Sequence, residues 1–202
     1  MIRVLHELGN LDGGGVARLI YDYYRHMNHE KVHFDFIIND EYTDGILEQP
    51  LREMGCTIYK IPALNRNAIA RLRKLERIVR EGHYDVVHSH IASRCLFLLY
   101  FGKKFGVKFR FAHSHIAYQN ISFMHRTFDK IMIAVAKTQA TQLLACGHDA
   151  GVYMWGKREV NSGKVKIVRN AVDTGRFRFS EEERIRLRKQ YGFDNRIVLG
   201  IV

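Results

Sequence analysis

Three consecutive glycines, Gly13 to Gly15, constrain the fold of this chain more than any other stretch. A short apolar run, residues 2–8, precedes them and predicts a β-strand. Apolar residues then recur with helical spacing from Val16 to Met27, which predicts an amphipathic helix over about 14–28. Glycines let a backbone turn tightly and approach a ligand, and the helix N-terminus behind them suits a phosphate group. This order of strand, glycine turn and helix is typical of the start of a doubly wound α/β domain.

The glycine turn admits two other interpretations. It could be a flexible connection with no ligand, or it could bind a nicotinamide dinucleotide. Arg18 stands where the dinucleotide fingerprint has its third glycine, which disfavours the second interpretation. Asp40 and Glu41 follow the second predicted strand, so a nicotinamide-dependent oxidoreductase stays open as an alternative. A P-loop is excluded because no Gly-Lys-Ser/Thr follows the glycines.

Predicted strands and helices alternate along the rest of the chain. The strands are expected at 2–8, 33–39, 56–61, 84–88, 107–113, 142–146 and 165–168. The helices are expected at about 14–28, 50–54, 66–81, 93–104, 122–139 and 149–155, with a last one opened by a capping box at Ser180. This alternation predicts an α/β fold, a Rossmann-like doubly wound parallel sheet with helices on both faces.

The helix expected at 66–81 has a predicted inward face and a basic outer face. Ile69, Leu72, Leu75 and Val79 are expected to point inward. The outer face includes Arg71 in a row of solvated cations, which are Arg66, Arg71, Arg73, Lys74, Arg77 and Arg80.

The C-terminal stretch predicts the beginning of a second domain. After the helix that starts at Ser180, an apolar run over 196–202 predicts another strand. We therefore expect an N-terminal domain over 1–178, followed over 179–202 by a linker helix and the first strand of a truncated second domain.

The charge balance favours an anionic partner. The chain has 32 basic and 21 acidic residues, a formal net charge of +11. Such a charge suits phosphorylated substrates, an acidic membrane surface or nucleic acid. A basic nucleic-acid-binding module is the second alternative, but no nucleic-acid motif accompanies the charge. The three cysteines are far apart, which predicts reduced thiols, and neither a signal peptide nor a membrane-spanning run is visible.

Two His-Ser-His segments, residues 88–90 and 113–115, end two of the predicted strands. In an open α/β sheet this edge binds ligands, and the glycine turn lies on the same edge. His88, His90, His113 and His115 could in principle surround zinc, but no Asp, Glu or Cys stands beside them, so we expect no metal. Ser89 and Ser114 lack the glycines of a nucleophile elbow, which disfavours a serine triad.

Several segments together resemble the N-terminal domain of a family 4 glycosyltransferase of the GT-B fold. They are residues 3–6, 13–15, 84–90, 111–115, 144–156 and, most specifically, 165–177. The similarity is to bacterial enzymes that build exopolysaccharide or capsular polysaccharide. It implies two Rossmann-like domains across a cleft, with the acceptor on this domain and most of the nucleotide-sugar donor on the other. Arg169 and Ala171 depart from the proline and glycine of the family segment around Asn170.

The resemblance also implies roles for individual residues. Gly13, Gly14 and Gly15 would approach the donor diphosphate. His113 would contact the donor sugar near the reaction centre, with His115 as the second candidate, and His88, His90 and Asn170 would belong to the acceptor and substrate cleft. The family is retaining and needs neither metal nor cofactor, since the nucleotide-sugar is a substrate.

The expected partners and location follow from the same resemblance and from the charge. We expect a nucleotide-sugar donor, a saccharide or lipid-linked saccharide acceptor, an anionic membrane surface and no nucleic acid. The expected location is the cytoplasm, peripheral at the inner face of the cell membrane, with residues 66–81 and 121–126 near the lipid. Because the donor domain's paired glutamates lie outside this sequence, the chain alone is expected to fold without transferring sugar.

Overall fold

A parallel β-sheet is the framework of the described part of the chain. The structure is a computed structural model that describes residues 1–41, 45–117, 123–175 and 177–200. Its strands are β1 (Ile2–Glu7), β2 (Val32–Asn39), β3 (Ile58–Ile61), β4 (Val86–Ser89), β5 (Phe109–Ser114), β6 (Gln142–Ala145) and β7 (Val165–Ile167). They lie in the order β3-β2-β1-β4-β5-β6-β7, and each neighbouring pair is parallel. The predicted doubly wound α/β sheet is confirmed.

Helices cover both faces of this sheet. They are α1 (Gly15–Arg25), α2 (Glu48–Glu53), α3 (Ala68–Glu81), α4 (Cys95–Lys104), α5 (Phe123–Gln139), α6 (His148–Trp155) and α7 (Lys157–Asn161); a further helix, α8 (Glu181–Gln190), comes later in the chain and is described below. Val4 and Phe36 pack with α1 and α2 on one face, whereas Leu5 and Val87 pack with α3 and α4 on the other. Successive strand residues point to opposite faces, so alternate positions of β1 and β4 belong to different cores. The short helix α7 was not predicted from the sequence.

The strand order reverses between β1 and β4. From β1 the chain moves outward through β2 and β3, and from β4 it moves outward in the other direction to β7. The connections that leave β1 and β4 therefore diverge and open a crevice at the carboxyl ends of these two strands. The glycine turn follows β1 and His90 follows β4, so both lie at this crevice.

Helix α3 corrects the predicted faces of this segment. Ile69, expected inward, is 66% exposed, and Arg71, expected among the solvated cations, is only 2% exposed. The helix begins at Ala68 behind the N-cap Asn67, and its buried residues are Arg71, Leu75, Ile78 and Val79, so Leu75 and Val79 point inward as predicted. Arg71 is buried because Glu7 lies opposite it and supplies a counter-charge at 2.8 Å.

The chain divides into two compact units, Met1–Ala171 and Val172–Val202. This division lies before the boundary between 178 and 179 that the sequence predicts. In the second unit, α8 begins as predicted, with the Ser180 side chain accepting a hydrogen bond from the Glu183 N–H at 3.3 Å. The strand predicted over 196–202 is not found in its described part, residues 196–200, because no neighbouring strand there supplies a ladder. Residues 201 and 202 lie outside the described residues.

Candidate functional site

The glycine turn places backbone without side chains at the crevice. Gly13 has a φ of +85°, a conformation that L-residues with a side chain rarely adopt. Gly14 is the N-cap of α1, and a Cβ added at Gly14 or Gly15 would meet nothing within 4 Å. The first N–H groups of a helix have no acceptor inside the helix, so the turn offers unpaired donors beside open space. This combination suits an anionic group.

A cavity of about 230 Å³ lies against this turn. We call it the glycine-turn cavity; it is lined by Leu8, Gly9, Asn10, Gly14, Gly15, Val16, Ala17 and His90. Gly13 shapes the turn but does not line the cavity. Arg18, in the third position of the dinucleotide fingerprint, pairs with Asp22 at 3.0 Å on the same helix.

Five imidazole rings form the histidine cluster, which is His6, His88, His90, His113 and His115. They occupy alternate positions in or just after β1, β4 and β5, three adjacent strands. The register places His6 beside His88, and alternation directs all five rings to the face that carries α1. The structure thus brings together all four histidines that the sequence singled out. It adds His6, which the sequence analysis missed although strand alternation puts it on the same face.

Hydrogen bonds join the cluster in two chains. Nδ1 of His6 lies 3.1 Å from Nε2 of His90, and Nδ1 of His90 lies 2.9 Å from Nε2 of His115. Separately, Nε2 of His88 lies 3.3 Å from Nδ1 of His113. In each contact one ring must donate and the other must accept, so the tautomers within a chain depend on one another.

Burial keeps these rings neutral. It lowers the pKa of His6 and of His113 to about 3 and that of His115 to about 4. The pKa values of His88 and His90 also fall well below the ordinary value, first through burial and then through neighbouring histidines. Three buried ring nitrogens have no hydrogen-bond partner in the described part of the chain: Nε2 of His6, Nε2 of His113 and Nδ1 of His115. A buried polar atom without a partner is costly, and at a crevice it points to a ligand.

A second cavity, of about 250 Å³, opens beside His115, and we call it the histidine cavity. Its walls come from the ends of β4 and β5 and from α5 and α6. Its lining residues are His90, Ala92, Ser93, Ser114, His115, Ile116, Arg126, Asp129, Lys130, Ile133, Val152, Tyr153 and Met154. Inside it, the Ser93 hydroxyl donates to the Asp129 carboxylate at 2.6 Å, a pair that the sequence analysis did not identify.

The predicted site residues are placed differently with respect to these cavities. His90 lines both of them and His115 lines one, whereas His88, His113 and Asn170 line neither. His113 is 3% exposed, and Asn170 is exposed after β7. The crevice is therefore centred on His90.

A buried ion pair supports the cluster from the opposite face of β1. The Glu7 carboxylate accepts hydrogen bonds from Arg71 at 2.8 Å and from the Ser89 hydroxyl at 2.7 Å. Arg71 also donates to the side chain of Asn39 and to the carbonyl of Pro62. These bonds tie together the carboxyl ends of β1, β2 and β4, from which the crevice opens.

Two overlapping groups of histidines have the composition of a metal site. In each of the groups His6, His88, His90 and His90, His113, His115, one ring nitrogen per residue lies within 4.8 Å of the others. Metal-bound histidines usually donate their second nitrogen to a carboxylate or a carbonyl. In the described residues, the cluster's hydrogen bonds run to other imidazoles instead. The geometry is that of a hydrogen-bonded cluster from which three rings could move onto a metal ion.

Comparison with known proteins identifies the family. The model of Glycosyltransferase Family 4 matches residues 13–176. The chain belongs to this family. The putative glycosyltransferase EpsF of Bacillus subtilis (strain 168) is 29% identical over 181 residues, which cover 85% of this chain and 45% of EpsF. The predicted resemblance is confirmed.

Two solved structures share the fold of this family 4 chain. Anabaena Alr3699/HepE, in complex with UDP and glucose, superposes with a TM-score of 0.68 at 16% identity, over 96% of this chain and 51% of HepE. A glycosyltransferase from Rickettsia africae ESF-5 gives a TM-score of 0.66 at 14% identity, over 95% of this chain and 49% of that protein. The chain thus spans about half the length of these relatives.

Proposed function

We propose that this chain is the acceptor-side domain of a retaining glycosyltransferase. The enzyme would transfer a sugar from a nucleotide-sugar donor to a polysaccharide or lipid-linked acceptor. The observation that best supports this proposal is that His90 lines both cavities of the crevice. Sugar transfer requires donor and acceptor to be held in contact, and two cavities with a common wall meet that requirement.

The donor diphosphate is assigned to the glycine-turn cavity, next to Gly13, Gly14 and Gly15. When the sugar leaves, the nucleoside diphosphate carries the developing negative charge. Unpaired N–H groups at the start of α1 can stabilise that charge without rearrangement. The UDP and glucose in the HepE structure support a nucleotide-sugar as the class of donor.

The catalytic residues are assigned to His113 and His115. Each has a buried ring nitrogen without a partner in the described residues, and a sugar hydroxyl would supply one. His113 is assigned the contact with the transferred sugar, and His115 the contact at the cavity. His88, His90 and Asn170 are assigned to the acceptor and substrate cleft. The proposal includes no metal and no cofactor.

Steady-state transfer by the complete gene product tests this assignment. We expect UDP release from a UDP-sugar with a saccharide acceptor, and a product that keeps the donor's anomeric configuration. His113→Ala and His115→Ala should each lower kcat on the order of 10²- to 10³-fold, as loss of a transition-state hydrogen bond does. His26→Ala, at the exposed C-terminal end of α1, is the control and should retain activity. Inversion at the anomeric carbon, or full activity of both variants, would contradict the proposal.

A chelator separates the metal-free mechanism from a histidine–metal site. We expect the rate to be unchanged after EDTA treatment and dialysis. Loss of activity that added zinc restores would assign the cluster to a metal instead.

We also propose that α5 contacts an anionic membrane that carries the acceptor. Met124, Phe128, Ile131 and Val135 recur at helical spacing and are 80%, 59%, 60% and 43% exposed. Exposed Arg126 and Lys130 lie on the same helix, and each cation near an anionic surface contributes about 1 kcal/mol. Among the described residues, no helix is long and apolar enough to cross a bilayer.

Vesicle sedimentation tests the membrane contact. The chain should bind vesicles that contain phosphatidylserine and not vesicles of phosphatidylcholine alone. Phe128→Glu should weaken binding, whereas Ile2→Glu, 51% exposed at the amino end of β1 and outside both predicted lipid-facing segments, should not. Equal binding to both lipids, or equal weakening by both variants, would rule out α5 as the contact.

A further inference from the structure

The three-ring chain from His6 through His90 to His115 has an unusual termination. His90 uses both of its ring nitrogens within the chain, Nε2 toward His6 and Nδ1 toward His115. The two remaining ends, Nε2 of His6 and Nδ1 of His115, are both buried and without a partner in the described residues. The central ring of this hydrogen-bonded series therefore has both nitrogens paired, whereas each terminal ring has one nitrogen without a partner in the described residues.

Only two proton arrangements satisfy such a chain when its rings are neutral. A neutral imidazole carries one N–H and one lone pair, so the choice at one ring determines the choice at the next. In the first arrangement His6 donates from Nδ1, His90 donates from Nδ1, and His115 has its N–H on the open Nδ1. In the second, all three protons lie on the other nitrogens, and the open N–H is on Nε2 of His6.

The surroundings of the two ends favour the first arrangement. The His6 ring lies 4.3 Å from the centroid of Phe34 and 5.7 Å from that of Phe36, in an apolar part of the core. A buried N–H without an acceptor is rarer in proteins than a buried acceptor without a donor. Of the two residues at the ends of the three-ring chain, His115 lines the histidine cavity, whereas His6 lines neither cavity.

We propose that His6 is a positioning residue that fixes the tautomer of His115 through His90, so that His115 presents an Nδ1–H to a saccharide oxygen in the histidine cavity. The inference rests on the proposed function for the identity of that oxygen, but the tautomer itself does not depend on it. His6 touches no substrate in this arrangement. It acts through two hydrogen bonds that end at the cavity wall.

Nitrogen-15 NMR of the histidine side chains tests the tautomer directly in the 202-residue chain, without any substrate. His115 should show a protonated Nδ1 and an unprotonated Nε2 at neutral pH. His29 is an internal reference, because its Nε2 lies 2.9 Å from the carbonyl of Tyr24 and must carry the proton. A proton on Nε2 of His115 would overturn the proposal.

Two substitutions separate positioning from packing. His6→Phe keeps an aromatic ring beside Phe34 and removes the donor, and His115 should then populate both tautomers. His6→Asn restores an N–H on the atom attached to Cγ, where Nδ1 stood, and should restore the single tautomer. An unchanged His115 spectrum in His6→Phe, with the His29 signals intact, would also overturn the proposal.

The same pair of variants gives a kinetic readout in the complete gene product. His6→Phe should lower kcat on the order of 10- to 100-fold, by analogy with the loss of the partner that orients a metal-bound histidine, with KM changed by less than about twofold. His6→Asn should recover most of the loss. If the NMR result holds and no sugar is transferred by the wild-type protein, the proposed function fails and the tautomer assignment stands.

Discussion

Two buried polar regions of the same sheet differ in how completely their hydrogen bonds are made. Near the amino ends, the Asp35 carboxylate accepts from the Thr57 N–H at 2.7 Å, from the Tyr84 hydroxyl at 2.9 Å and from Arg3 at 3.1 Å. Its fourth contact is Nε2 of His33, at 3.1 Å. Near the carboxyl ends, the histidine cluster leaves three ring nitrogens without partners in the described residues.

The contrast separates polar groups that bond to one another across the sheet from polar groups that keep unpartnered nitrogens at the crevice in the described residues. Burial alone would raise the pKa of Asp35, but the Thr57 N–H, the Tyr84 hydroxyl and His33 hold that pKa below its usual value. At the cluster, by contrast, burial is the leading cause that lowers each histidine pKa. The first region is stabilised by its charge, and the second excludes charge.

The largest expected effect is the loss of stability on mild acidification. Each cluster histidine has a lower pKa in the folded chain than in the unfolded chain, so the unfolded chain binds more protons below about pH 6.5. For each ring that stays neutral in the folded chain, the free energy of unfolding can fall by up to about 1.4 kcal/mol per pH unit. This continues until the pH reaches the pKa of that ring in the folded chain. The free energy of unfolding in urea should fall by several kcal/mol between about pH 7 and pH 5.5.

The Asp35 region supplies the control for that experiment. A carboxylate with a lowered pKa contributes stability above its unfolded value of about 3.9 and loses it only below that pH. Asp35 should therefore not contribute to the slope of the free energy of unfolding between about pH 7 and pH 5.5. His6→Phe should reduce that slope by the contribution of one histidine. A flat profile over this range would break the comparison.

Removal of the Asp35 carboxylate should lower the free energy of unfolding far more than removal of the His6 imidazole from the histidine cluster. Asp35→Ala leaves the Tyr84 hydroxyl and the Arg3 guanidinium without their buried acceptor, which should cost about 3 to 5 kcal/mol. His6→Phe removes Nε2, which already lacks a partner in the described residues, and Nδ1, which bonds His90 at 3.1 Å, so it should cost only about 1 to 2 kcal/mol at neutral pH. Equal losses in urea unfolding would show that the two regions do not differ in this respect.

The buried pair of Glu7 and Arg71 sharpens the comparison, since it is satisfied yet adjoins the crevice. Arg71→Met should cost about 3 kcal/mol, because it leaves a buried carboxylate without its cation. Arg66→Met is the matched control: Arg66 pairs with Asp40 at 3.5 Å with 59% of its side chain exposed, and the change should cost less than about 1 kcal/mol. Thermal unfolding of both variants measures the difference.

The smallest expected effect concerns the glycine turn. Gly13→Ala must hold a side chain at a φ of +85°. Its Cβ would lie 2.6 Å from Cδ1 at the far end of the exposed Ile46 side chain, which can turn away, so the cost is mainly in the backbone. We expect the free energy of unfolding to fall by about 1 kcal/mol. Gly14→Ala, at a φ of −58° with open space around its Cβ, should be stable but should fill part of the glycine-turn cavity and weaken nucleotide binding. A stable Gly13→Ala would show that Gly13 is not required for the turn.

The sequence was sufficient for the architecture because local patterns determine it. Alternating strand and helix patterns and the glycine turn predict the parallel sheet, and the two His-Ser-His segments mark the carboxyl edge of β4 and β5. The sequence did not predict that Arg71 is buried, since its helical position alone cannot show a counter-charge 64 residues away in β1. His6 was missed for a similar reason. Its role depends on the neighbouring strand, and a single histidine in an apolar run carries no spacing signal.

The register of the parallel strands has a consequence for folding fidelity. His6 faces His88 across β1 and β4, and alternation directs every ring of the cluster to one face. A slip of one residue in any of these strands would send its histidines to the face of α3 and α4, among apolar side chains. A misregistered sheet would thus break up the histidine cluster and bury unpaired imidazoles at the same time. A molecule with the wrong strand alignment would therefore lack the histidine cluster and would also be less stable than the native fold.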